Sequence, residues 1–151
     1  MKFYFKEFLV VFAIVAVTVF VLGRVWVKQS QVVQVGNTKI PVEIVTSQSE
    51  LTKGLSGRIS LDSNSGMLFI LPQKGIYSFW MKDMLFPIDI IWIADNKIIA
   101  IDNSIPLEPN GTNLKTYSPP ETVDYVLELN AGFAIKHNFK KGDAITLPPR
   151  L

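Results

Sequence analysis

The chain has no cysteine and a single histidine, His137, in 151 residues. The missing cysteines exclude disulfides and thiolate metal sites, while leaving the redox compartment open. An excess of one charge is missing too, since 15 basic and 13 acidic side chains give +2. Lys2, Lys6, Arg24 and Lys28 against Glu7 put +3 into the first 28 residues, so the remainder carries 11 basic and 12 acidic groups, net −1. A near-neutral domain without a basic stripe argues against nucleic acid as a partner. There is no phosphate loop, HExxH or paired-glycine fingerprint. Internal repeats, low-complexity stretches and a convincing catalytic triad are absent as well.

What the chain does have is apolar mass: 48% hydrophobic residues, with 10 Phe, 4 Tyr and 3 Trp. Residues 8–22 read FLVVFAIVAVTVFVL, of which twelve are Leu, Ile, Val or Phe. Membrane insertion of such a run is favoured by on the order of 5 kcal/mol. Fifteen helical residues cover ~22 Å of a ~30 Å hydrocarbon core, and extension to Val27, with Arg24 snorkelling and Trp26 at the interface, closes the gap. No small-x-small cleavage site follows, so residues 1–28 are expected to be an uncleaved signal-anchor helix. Basic residues at the start favour a cytoplasmic N-terminus, a single-pass membrane location, and a domain, residues 29–151, outside the cytoplasm. About 120 residues suffice for one compact domain.

Within that domain, residues 31–36 and 38–46 read as strands around a Gly36-Asn37 turn, with Pro41 placing the second near an edge or bulge. Ser47-Gln48-Ser49-Glu50 is a capping-box signature that predicts a short helix to about Leu55. Residues 66–71 are an apolar run ended by Pro72, best read as a buried strand. Strand character recurs over 79–93, 97–102, 122–129 and 144–147, and 131–137 suit one or two helical turns. Residues 103–120 hold four prolines and read as a long irregular loop, of a kind often functional; Asn110-Gly111-Thr112 within it fits a glycosylation sequon. The expected fold is mainly β: a β-sandwich or partly open barrel with one or two short helices.

The most informative segment is 79–102, where Lys82, Asp83 and Asp89 sit among large apolar residues. Charges in such surroundings are usually paired or used. If Asp95-Asn96 forms a two-residue hairpin turn, Ile93 faces Ile98, Ile91 faces Ala100 and Asp89 faces Asp102. Two facing carboxylates repel, so a cation is expected between them. It could be Lys82, Lys97 or Arg58 in an ordinary ion pair, or a divalent cation such as calcium or magnesium, with Glu108 or loop carbonyls completing the shell. No other cofactor is implied. The same pair, if ~5 Å apart, would have the spacing of a retaining glycoside hydrolase, giving an acid/base hydrolase as an alternative.

Arg58 offers a planar fork for a carboxylate or phosphate, with Asp89, Glu128 or a loop carbonyl as an internal partner. Lys82, behind Phe79-Trp80-Met81, is a candidate desolvated nucleophile, or else points outward past the aromatic surface. Met67, Met81, Met84 and His137 are a conceivable soft-metal set, although methionines in apolar strands usually fill core. His137 alone could serve as a general base, against which stands its turn-like setting between Lys136 and Asn138.

Several islands, Gly54-Leu55-x-Gly57-Arg58, Gly66-Met67-Leu68-Phe69, Phe79-Trp80-Met81-Lys82, Pro87-Ile88-Asp89-Ile90, Val126-Leu127-Glu128-Leu129-Asn130-Ala131-Gly132 and Gly142-Asp143, occur in the order of an uncharacterised family. On these the chain resembles domain-of-unknown-function family 192. The resemblance implies a jelly-roll-like β-sandwich, often behind an export signal or anchor, and brings no established activity. Members often read Asn-Thr after Met-Lys; here Asp83-Met84 puts an extra negative charge in that place.

These readings combine into a membrane-anchored extracytoplasmic domain that binds a small ligand, cation or envelope partner. The candidate binding residues are Arg58, Trp80, Lys82, Asp83, Asp89, Asp102 and Glu128, with Asp89 and Asp102 as the metal pair. The other alternative is a structural or interaction module without a ligand site.

Overall fold

The computed structural model describes residues 31–108 and 115–148. In chain order these form β1 (Gln31–Val35), β2 (Thr38–Val45), α1 (Gln48–Lys53), β3 (Gly66–Gly75), β4 (Phe79–Trp80), β5 (Ile88–Ala94), β6 (Lys97–Ile105), β7 (Thr116–Tyr117), β8 (Val123–Asn130), α2 (Phe133–Lys136) and β9 (Ile145–Thr146). Among the described residues no helix is long and apolar enough to cross a membrane. The expected anchor over residues 1–28 and the sequon at 110–112 lie outside them.

Seven strands make one sheet in the order β6-β5-β8-β3-β2-β1-β9, while β4 pairs with β7 alone. The sheet curls until its two edge regions touch. Lys97 bridges Ala144, and the N–H groups of Ile98, Gly142 and Ile145 donate to the carbonyls of Asp143, Ile98 and Asn96 at 3.0, 2.8 and 2.8 Å. The result is a mainly β, curled half-barrel with two short helices, as the partly open barrel reading expects. The jelly-roll-like sandwich is corrected. There is one large sheet rather than two stacked ones, and β2 runs parallel to β3. Parallel neighbours need a long crossover, and residues 46–65, carrying α1, supply it.

The capping box at Ser47 is present. Glu50 N–H donates to Ser47 Oγ at 3.4 Å, and Ser47 N–H donates to Glu50 Oε2 at 3.2 Å. The helix ends sooner than expected, at Lys53, because Gly54 turns out at φ +48°. Pro41 lies outside the β2–β3 pairing, which begins at Val42, so its missing N–H removes no rung there.

Both faces of the central strands are buried, and all seven residues of β5 are. One core cluster draws Val33, Ile40, Leu68, Ile91, Ile98, Leu127 and Ile145 from around the sheet, joined by Phe133 and Ala134 of α2, and so fills the curl. The other, including Met67, Phe69, Ile90, Trp92 and Val126, lies on the opposite face beneath the segments around α1 and β4. Rings meet edge-on there: Phe79 lies 5.1 Å from Phe69 and 5.4 Å from Trp92 between centroids, a geometry the ring quadrupoles favour.

The Asp95-Asn96 turn forms as expected, both residues at positive φ, and Ile93 faces Ile98. Beyond it the register departs from expectation. Trp92 pairs with Ala100 and Ile91 with Ile101, so β6 carries one extra residue at Ile99. A bulge of this kind moves every later side chain to the other face. Asp102 therefore lies opposite Ile90, not Asp89. A second irregularity follows between Ile90 and Ile88, where Ser104 adopts φ +50°. Residues 103–105 are thus strand, and among the other described residues of the expected 103–120 loop only Thr116 and Tyr117 of β7 are.

Candidate ligand pocket

The bulge separates the two carboxylates chemically as well as spatially. Asp89 is fully buried on the α2 side of the sheet. Its Oδ1 accepts from Ser104 N–H at 2.7 Å and Gly132 N–H at 3.0 Å, and Oδ2 from Ala134 N–H at 2.8 Å. Asp89 thus joins β6, the approach to α2 and its first turn with charge-assisted bonds. Asp102 sits on the opposite face, where its Oδ2 accepts from Trp92 Nε1 at 2.7 Å. The expected face-to-face pair is corrected, and with it the geometric basis for a shared cation or a divided acid/base role. Among the described residues no group of three or more His, Cys, Asp or Glu side chains is placed to hold a metal. Glu108 instead accepts from Lys115 N–H at 2.9 Å.

Arg58 forks onto Glu43, Nη1 to Oε1 at 2.6 Å and Nη2 to Oε2 at 2.9 Å, a partner outside the expected set. Lys82 is exposed rather than desolvated, with Nζ 5.9 Å from the centroid of the Trp80 ring. Asp83 is exposed as well; its φ of +55° is one that Asn and Asp tolerate best. Its carbonyl accepts from Gly57 N–H at 2.8 Å, and that of Lys82 from Ser56 Oγ at 2.7 Å. A backbone role of this kind suits either Asp or Asn. Met67, Met81 and Met84 pack in the outer-face core, while His137 stacks on Phe133 at 4.2 Å, so the soft-metal set is not assembled.

Glu128 is the acidic residue that the fold places in a cavity. One rung of the sheet runs from Glu43 through Met67 and Glu128 to Ile90 and Asp102, and paired residues point to the same face. On that face, residues of α1, Gly54, Phe69, Leu71, Tyr77, Phe79, Trp80 and Glu128 line a half-open cavity of about 230 Å³. Glu128 Oε2 is buried there without a hydrogen-bond partner among the described residues. Burial pushes the Glu128 carboxyl up to about 8, with the nearby Arg58 charge pulling the other way. At neutral pH the acid therefore mostly keeps its proton, and carboxyls perturbed in this way cluster at functional sites.

Gly54 closes one wall. A Cβ there would stand 3.2 Å from Phe69 Cζ and 3.7 Å from Glu128 Oε2, on a backbone at φ +48°. Gly54→Ala is expected to destabilise the domain by about 1–3 kcal/mol through backbone strain and crowding of Phe69, and to narrow the cavity beside Glu128. Urea unfolding measures the first effect; an unchanged midpoint would contradict it. Trp80 and Glu128 are thus the two expected binding residues that line one site. Gly54, Phe69 and Tyr77 were missed, although a glutamate between leucines in Val126-Leu127-Glu128-Leu129 is a visible sign of inward charge.

The chain belongs to domain-of-unknown-function family 192 (DUF192), described as an uncharacterized ACR, whose family model matches residues 27–147. No curated protein matches it. A similar solved structure is that of a protein of unknown function from Novosphingobium aromaticivorans DSM 12444, at 25% identity and a TM-score of 0.69, covering 77% of this chain and 83% of that one. Another is that of a proposed transcription regulator from Sinorhizobium meliloti 1021, at 27% identity and a TM-score of 0.70, covering 78% and 93% respectively.

Proposed function

We propose that this DUF192 domain binds a small ligand with an apolar body and one polar head, seated in the Gly54–Glu128 pocket. The observation that carries the reading is the buried Oε2 of Glu128, unpartnered among the described residues and lining an aromatic-walled cavity. A lone buried polar atom costs stability, typically about 1–3 kcal/mol, and a ligand donor there removes that cost. The size fits, since an engineered cavity of about 150 Å³ takes up benzene. Mostly apolar pockets with a few convergent polar groups are the usual form of small-molecule sites.

Tethering completes the proposal: the apolar run at residues 8–22 anchors the chain in a membrane, with the domain outside the cytoplasm. The sequence pattern alone supports that part. The net charge of −1 after residue 28 gives no support for carrying the regulator description of the Sinorhizobium relative over to DNA contact here.

The test is a screen of small aromatic and aliphatic compounds against the full-length chain, followed by amide chemical shifts. Binders that move Gly54, Leu55 and Glu128, and that Thr52→Trp excludes by filling the pocket wall, support the reading. Binders mapping elsewhere, or none at all, overturn it.

A further inference from the structure

We infer that the polar head of this ligand is a protonated amine, held by the Glu128 carboxylate within the aromatic walls of the pocket. The inference rests on the pocket being the binding site and adds the chemical class of its occupant. Once its proton is displaced, the Glu128 carboxylate only accepts hydrogen bonds, and its Oε2 has no donor among the described residues. An ammonium group supplies that donor and the opposite charge together. Phe69, Tyr77, Phe79 and Trp80 contribute ring surface to the same wall, and ring faces attract cations, most strongly where water is excluded. The Trp80 ring already has the Lys82 ammonium 5.9 Å from its centroid.

The charges nearest Glu128 leave this role open to a ligand. Arg58, whose charge reaches Glu128, is engaged in two bonds to Glu43. The rung neighbours on β3 and β5 are the neutral Met67 and Ile90. The Tyr77 hydroxyl donates to Gln73 O at 2.9 Å. Lys53 lines the wall from the last turn of α1, and it limits how many positive charges the ligand can carry.

Binding an amine to a carboxyl that holds its proton at neutral pH displaces that proton. The ligand keeps its own, and the one leaving Glu128 goes to solvent. Affinity for an ammonium ligand then rises about tenfold per pH unit from pH 5 towards 8 and levels off above it.

Three matched probes test this on the full-length protein: phenethylammonium, 2-phenylethanol and 3-phenylpropionate. Calorimetry at pH 7 in phosphate and in Tris should show phenethylammonium binding tightest, with release of close to one proton. Glu128→Gln should weaken phenethylammonium binding at least tenfold and abolish the proton release. Equal or tighter binding of the alcohol or the carboxylate, or an unaffected Glu128→Gln variant, would overturn the amine while keeping the pocket. Silence of all three at the Gly54 and Glu128 amides would remove both readings.

Discussion

Replacing Asp89 with alanine is expected to lower the stability of the domain by about 4 kcal/mol or more, enough to unfold many domains of this size. The reason lies in what the carboxylate holds. Its two oxygens collect N–H groups from Ser104, Gly132 and Ala134 at 2.7, 3.0 and 2.8 Å, and the residue is fully buried. Alanine leaves three donors without an acceptor, each costing about 1–3 kcal/mol, and opens a void. Asp89→Asn keeps the shape. Its oxygen can face Ser104 and Gly132, which sets the amide NH2 against Ala134 N–H, so a loss nearer about 2 kcal/mol is expected. Urea unfolding of both variants gives the comparison. If alanine costs less than about 1 kcal/mol, the three-way junction is not what locks α2 to the sheet.

The same junction shows where the sequence could and could not be read. Elements whose causes are local were legible: the Ser47–Glu50 capping box and the Gly36-Asn37 and Asp95-Asn96 turns. Asp89 was recognisable as a carboxylate needing positive partners, because a charge among isoleucines is anomalous on its own. Its partners were not recognisable, since they are backbone N–H groups 15 to 45 residues away and leave no trace in residue identity. The error at Asp102 has one cause. The turn was right, but the extra residue at Ile99 carries no glycine or other marker, and a single inserted residue exchanges the faces of a strand. Likewise Arg58 was legible as a bidentate donor, whereas its choice of Glu43 depends on the parallel β2–β3 pairing. That pairing arises from a crossover, not from any adjacent motif.

Two buried acids on opposite faces of one sheet therefore illustrate opposite outcomes. Asp89 is saturated with donors and serves the fold. Glu128, one strand away, lines a cavity with an oxygen unpartnered among the described residues. Polar groups left in that condition lower stability, and they persist where a site needs them.

Removing the charge at Glu128 should accordingly stabilise the protein in a pH-dependent way. The carboxyl, pushed by burial from an ordinary 4.5 to about 8, binds its proton more tightly in the folded chain than in the unfolded one. Below about pH 4.5 both states hold the proton and the effect vanishes. Between there and about pH 8 the unfolded chain ionises first, so folded stability falls by about 1.4 kcal/mol per pH unit, and above that it levels off. Glu128→Gln lacks this titration. The buried amide imposes its own penalty, but a constant one, so the stability difference between variant and parent isolates the carboxyl. That difference is expected to move in favour of Glu128→Gln by on the order of 4 kcal/mol between pH 5 and pH 8. Denaturant unfolding at several pH values measures it, with other titrating groups cancelling between the two proteins. Stability profiles that run parallel across this range would show that Glu128 ionises as readily in the folded chain as in water. The pocket would then hold an ordinary carboxylate, with no proton for an arriving cation to displace.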